Sequence, residues 1–364
     1  MFRHLAAVLS LFAASVLAYL LSAAAEACCP APRLGVHLVN ADQSVIILWD
    51  AANKTQHFIR RASFKGDADN FGFLIPSPTQ PELSESGNET FPYLHDLTKP
   101  EVIDMPRSLG VGCGCSSAAP RQHTGAPGLA WVKVLEEKVV AGFHAAVLET
   151  DSSAALVKWL KDNGYAYSPE IEAWAKPYIA QGWKITALKV AKNKDEREKK
   201  TVTASALRMS FKTDRPLFPY REPDYKGSAE KAGASRRTLR IYFLAEARYQ
   251  GEATKEAPWS GQVVWAGKVS AADRAKILEQ LKLPANTGPA EWFLTEFEDQ
   301  WAYKLAPADV YFSRSANQDT LRRPPVSRYV SAPYPNDATA YALAIAILVP
   351  AIWLRLRHKC APAG

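Results

Sequence analysis

DSSAALVKWLKDNGYAYSPEIEAWAKPYIAQGWKITALKV, residues 151–190, changes its apolar period twice, and those changes decide the fold class. From Ser152 to Asn163, Leu156, Val157, Trp159 and Leu160 fall on one face of a 3.6-residue repeat. Asp151 or Ser152 supplies an N-cap and Gly164 a stop. Ser168-Pro169-Glu170 opens a second helix with a cap, a first-turn proline and an early acid. It runs to about Gln181-Gly182, with Pro177 as a kink or an end. Trp183 to Ala191 then turns to strand character.

Working outward, the segments before this stretch read as strands. Gly35 to Asn40 and Ser44 to Asp50 flank a turn at Ala41-Asp42-Gln43, Thr55 to Phe64 alternates, and Phe71 to Ile75 stops at Pro76. Pro76 to Pro100 is rich in Pro, Ser and Glu and reads as an extended loop. Trp131 to Glu136 and Lys138 to Thr150 form a strand pair. After it, Val202 to Lys212, Thr238 to Tyr249, Val263 to Val269 and Asp309 to Ser313 are strands, and Asp214 to Arg236 is a polar excursion. Ser270 caps a helix ending near Leu281, and a last amphipathic helix is expected from Pro289 to Trp301. Strands, then helices, then strands predict an α+β fold: mainly antiparallel sheet, a helical pair in the middle and two later helices.

The chain has 364 residues, 48% hydrophobic and 22% charged, enough for one large domain or two ordinary ones. Its net charge of +7 comes from 44 basic and 37 acidic residues that are interspersed, as in the run from Lys192 to Lys200. Without a one-signed stripe, nucleic acid is not an expected partner.

The two ends give an address. Arg3 and His4 precede an apolar run from Leu5 to Leu21, and Ala25-Glu26-Ala27 offers a small-residue cleavage site, so residues 1–27 read as a signal peptide. Residues 338–354, ATAYALAIAILVPAIWL, carry no charge and are just long enough for a transmembrane helix. Arg355, Arg357, His358 and Lys359 follow, which favours a cytoplasmic tail over 355–364. The expected order is signal, exported domain over 28–313, Pro-rich stalk over 314–337, one span and a short basic tail. The lipid bilayer is thus one expected partner, and an unknown envelope protein or ligand the other.

Cys28, Cys29, Cys113 and Cys115 lie on the exported side. Bonds between Cys28 and Cys29, or within Cys113-Gly114-Cys115, would be strained, so disulfides between the two clusters are favoured. Each closes a loop of roughly 85 residues, for about 4 kcal/mol on the chain-entropy account. A redox-active dithiol or a metal site at these cysteines are the competing readings.

The catalytic signatures that a sequence can show are absent: no nucleophile elbow, P-loop, dinucleotide fingerprint or H-E-x-x-H helix. No cofactor is implied. Adjacent Glu136 and Glu137 on a strand would point to opposite faces. Asp67, Asp69 and Asn70 lack the following Glu of a Ca²⁺ loop. The best candidate for a binding surface is the segment carrying Phe211, Asp214, Arg215, Tyr220 and Arg221, where prolines stiffen a mixture of charges and aromatics.

Several segments together resemble the bacterial family DUF2330, a domain of unknown function. They are Ala41-Asp42-Gln43 with the strand through Trp49, FGFLIPSPTQP at 71–81, LVKWLKDNGY at 156–165, WKITALK at 183–189 and MSFKTDRPLFPYR at 209–221, with the two cysteine clusters. The likeness covers roughly Cys28 to Ser313. It implies export and a shared fold, in a bacterial host, and it supplies no catalytic residues. The expectation is a membrane-anchored envelope protein with a non-catalytic binding or scaffolding ectodomain. The alternatives are an envelope hydrolase or transferase, and a thiol-redox or metal-handling protein using the four cysteines.

Overall fold

The computed structural model describes residues 29–31, 43–61, 63–65, 72–106, 132–165, 167–190, 201–203, 205–223, 236–255, 258–302 and 308–330. The first strands are β1 (Cys29–Ala31), β2 (Gln43–Asp50), β3 (Thr55–Arg60), β4 (Ser63–Lys65), β5 (Gly72–Ser77), β6 (Glu82–Ser86) and β7 (Val102–Pro106). Then come β8 (Lys133–Val140), β9 (Phe143–Glu149), β10 (Lys184–Val190), β11 (Thr201–Thr203), β12 (Ala206–Lys212) and β13 (Leu217–Phe218). The last are β14 (Arg236–Ala245), β15 (Tyr249–Glu252), β16 (Gln262–Val269), β17 (Trp292–Ala302), β18 (Val310–Arg314) and β19 (Val326–Val330). Four helices are described: α1 (Thr90–Thr98), α2 (Ser153–Asp162), α3 (Pro169–Ala180) and α4 (Ala271–Gln280).

Two compact units divide the chain, and the larger holds residues 1–99 and 116–322. Its main sheet has the order β16-β17-β14-β2-β3-β12-β6, antiparallel except for the β14–β2 pair. A second sheet runs β1-β5-β10-β9-β8, and a small one β13-β18-β15. Alternation along each strand divides the apolar residues among three cores. Val45, Ile47, Phe58, Ile241 and Phe297 meet Phe73, Phe143, Val147 and Leu188 between the two large sheets, with Phe218 and Phe312 of the small one. Leu74, Leu148 and Ile185 face the other way, onto Leu156, Leu160, Ile171 and Trp174 of α2 and α3. Ile46, Leu48, Tyr242 and Leu294 face α1 and α4 through Phe91, Leu94, Ile277 and Leu278. The layers therefore run helix pair, sheet, sheet, helices. A strand covered on both faces needs no polar face, which is why VIILW, residues 45–49 of β2, is apolar without interruption.

The α+β class with mainly antiparallel sheet holds. The helix pair of residues 151–182 is as expected, with Ser152 and Ser168 accepting from Ala155 N and Ile171 N as N-caps. Pro177 lies inside α3 without ending it. Ser270 caps α4 through Asp273 N.

Four readings need correction. Pro289 to Trp301 is not a helix: β17 occupies most of it, and its acids Glu296, Glu298 and Asp299 are all buried. Arg240 stands opposite Glu298 in the sheet and pairs with both Glu296 and Glu298. Pro76 to Pro100 is not a loop: it holds β6 and α1, whose Pro92 falls in the first turn where no N–H is needed. Pro76 itself stays within β5, because described pairing with β1 stops at Leu74 and leaves that side of the strand free of ladder partners. The break between β8 and β9 falls at Ala141-Gly142, whose φ values of 52° and 82° suit a tight hairpin, rather than at Glu137.

Arg314 to Asp337 is not stalk throughout. Leu321 exchanges both backbone hydrogen bonds with Ala266 on edge strand β16, at 2.9 and 2.8 Å. Arg322 lies over the Trp265 ring at 4.3 Å and donates to Ala266 O. The smaller unit holds residues 100–115 and 323–364. In it, β7 and β19 form a parallel ribbon in which Arg328 grips Asp104 with two hydrogen bonds of 2.7 and 3.0 Å. Val102, Ile103 and Val326 of that ribbon are exposed.

Candidate functional site

The segment from Thr213 to Pro223 leaves β12, forms β13 and is fastened along its length. Asp214 pairs with Lys54 at 2.7 Å in solvent, which adds little. Buried Gln56 does more: its amide donates to Leu217 O and accepts from Leu217 N, both at 2.8 Å, as a neighbouring strand would. Arg215 lies over the Tyr311 ring at 5.3 Å, pairs with Glu252 at 3.2 Å and remains half-exposed. The Tyr220 hydroxyl donates to Asp299 Oδ2 at 2.7 Å. The Trp174 indole donates to Arg221 O at 2.9 Å, and Arg221 N donates to Asp309 Oδ1 at 3.1 Å.

Two buried carboxyl groups anchor this ledge. Asp299, with no exposed surface, accepts from Tyr220, from Trp259 Nε1 at 2.8 Å and from Ser260 Oγ at 2.7 Å. Trp259 can lie there because two glycines leave room: a Cβ on Gly251 or Gly261 would stand 2.3 Å from its ring. Asp309 accepts from Tyr178 Oη at 2.7 Å. Burial pushes the Asp309 carboxyl up, and the Tyr178 and Tyr311 hydroxyls up by burial and then by Asp309 itself. Perturbed groups mark functional sites often enough to be weighed. Here both acids already accept from protein donors, and so they hold the ledge in place.

A Ser–His pair lies on the opposite face of the main sheet. His57 and Ser210 are directly opposed in the β3–β12 register, with Nδ1 and Oγ 2.8 Å apart. Burial and then Arg208 depress His57 to about 4, against the opposing pull of Asp50 and Glu82. A general base works best with a pKa near the operating pH. His57 is neutral there but far too weak, so the pair is a cross-strand hydrogen bond. Among the described residues, no three His, Cys, Asp or Glu side chains come together as metal ligands.

The family model for DUF2330, an uncharacterized protein conserved in bacteria, matches residues 22–313. The chain belongs to this family. Neither a curated protein nor a solved structure matches it.

The DUF2330 domain brings together some of the residues expected at a binding surface and not others. Arg215, Tyr220 and Arg221 are on the ledge with the anchors above, and Asp214 is at its exposed start. Phe211 is not a surface residue: at 4% exposure it follows Leu207 and Met209 into the core between the sheets. Cys28, Cys113 and Cys115 lie outside the described residues, as do 1–27 and 338–354; Cys29 is described only as part of β1. No helix among the described residues is long and apolar enough to cross a membrane. The sequence reading missed Asp299, Asp309, Trp259 and Tyr178 as ledge anchors. The available signal was the three acids of β17, set among Phe293, Leu294 and Phe297, and the Trp259-Ser260-Gly261 segment, neither of which names its partner.

Proposed function

We propose that this DUF2330 protein is an exported, membrane-tethered binding module without catalytic activity, and that the ledge around Arg215 is where a partner in the envelope docks. One observation carries the reading: the ledge is fastened to Gln56, Asp299, Asp309 and Trp174, yet leaves Arg215 half-exposed on Tyr311. A surface rigid before binding loses little entropy on binding, and arginine stacked on an aromatic ring is a common centre of interfaces. Anchoring rests on the uncharged run 338–354 with its basic flank, and export on residues 1–27.

A photo-reactive amino acid placed at Arg215 in living cells tests the docking claim, with the exposed Lys268 position as reference. A discrete adduct from position 215 and none from 268 is expected. No adduct from 215, or equal labelling at both positions, defeats the reading.

A further inference from the structure

Arg60 and Gln43 are buried polar residues of the main sheet, each with an orphaned side-chain atom. Arg208 donates from one guanidinium nitrogen to Leu281 O and Lys282 O at 2.7 and 2.8 Å, and Arg240 has Glu296 and Glu298. Arg60 is 5% exposed, and among the described residues its Nη1 has no hydrogen-bond partner; its guanidinium lies over the Phe73 ring, 5.4 Å away. Gln43 is 7% exposed, and among the described residues its Oε1 is likewise without a donor.

The sheet places these two side chains as neighbours. Arg60 is opposite Val45 across the β2–β3 pair, and Val45 and Phe58 point into the core between the sheets. Arg60, two residues from Phe58, and Gln43, two from Val45, share that face. Diagonal neighbours of this kind are about 7–8 Å apart, within reach of one small molecule. Two described acids of the main sheet share that face and are already engaged: Glu85, opposite Leu207, pairs with Lys282 at 3.0 Å, and Asp299, opposite Leu239, accepts from three donors. A buried guanidinium nitrogen with no counter-charge among the described residues is costly, and a planar carboxylate is its best complement.

We propose that Arg60 and Gln43 form a binding site for a small carboxylate flanked by a neutral hydrogen-bond donor. The carboxylate meets the guanidinium against Phe73, and the donor, a hydroxyl or an amide N–H, meets Gln43 Oε1. An ammonium donor is disfavoured, since it would face the guanidinium. This site is separate from the Arg215 ledge and does not depend on the docking reading.

Thermal unfolding of the full-length protein tests the site, comparing chloride with acetate, glycolate and N-acetylglycine at equal ionic strength. A ligand that binds only the folded chain raises Tm saturably. Glycolate or N-acetylglycine should do so, and acetate, lacking the donor, should do so less. A response to glycolate assigns hydroxy acids, and one to N-acetylglycine assigns peptide C-termini; either supports the site. Arg60→Met should abolish the response, while Arg215→Gln keeps it. Should Arg60→Met fail to fold, Gln43→Glu serves instead: it supplies the missing charge internally, so Tm in chloride should rise and the ligand response should vanish. Two results overturn the proposal: a wild-type Tm indifferent to all three carboxylates, or Gln43→Glu responding as wild type does.

Discussion

Acidification should expose the burial of His57 as a loss of stability that a His57→Gln chain does not share. The ring is buried on the outer face of the main sheet, with Arg208 and Lys212 opposing its protonation and Asp50 and Glu82 favouring it. Its pKa falls from 6.5 to about 4 on folding. Between these values the unfolded chain binds a proton that the folded chain refuses, so unfolding becomes easier as pH falls. Each unit of difference corresponds to about 1.4 kcal/mol, so the stability present above about pH 6.5 drops by roughly 3 kcal/mol on reaching about pH 4. Urea unfolding of both chains across this range, followed by tryptophan fluorescence, isolates the contribution, because the remaining groups titrate alike in both. The difference in unfolding free energy between the chains should shift by roughly 3 kcal/mol in favour of His57→Gln on acidification. Parallel pH profiles for the two chains would show that His57 is protonated as readily folded as unfolded, and would refute the reasoning.

Other consequences follow from the ledge anchors and the caps. Tyr220→Phe removes a donor from buried Asp299 and should cost about 1.5–3 kcal/mol in denaturant unfolding, with a change in tryptophan emission as Trp259 loses its setting. Gly251→Ala should destabilise by about 1–3 kcal/mol, since its Cβ would stand 2.3 Å from the Trp259 ring; an unchanged midpoint would contradict that packing. Ser270→Ala should cost about 1 kcal/mol by removing the α4 cap, measured the same way.

The local signals that carried their own physics were legible in the sequence. Ser152, Ser168 and Ser270 each preceded an amphipathic run, and the capped helices form behind them. Ser44 to Asp50 was legible as a strand, and β2 forms there. Where tertiary partners decide, local pattern misled. TEFEDQ in β17 has the composition of a solvated helix, and only Arg240, Tyr220, Trp259 and Ser260, all distant in sequence, make its acids tolerable inside a sheet. Thr90 to Thr98 looked like loop because Pro92 and its polar surroundings hid the spacing of Phe91 and Leu94 that packs on the sheet. Phe211 and Arg215 were grouped because they are close along the chain; strand alternation sends the first inward, while the second lies beyond the end of β12. The orphaned polar atoms of Arg60 and Gln43 had no sequence signature, since each is an ordinary residue at a strand end.

The most direct test of an exported, tethered domain is protease treatment of intact spheroplasts carrying tags at both ends of the mature chain. The domain should be digested from outside, while a short fragment bearing the C-terminal tag stays with the membrane pellet. A full-length chain that resists protease until the cells are lysed, or that appears in the soluble cytosolic fraction, contradicts the account.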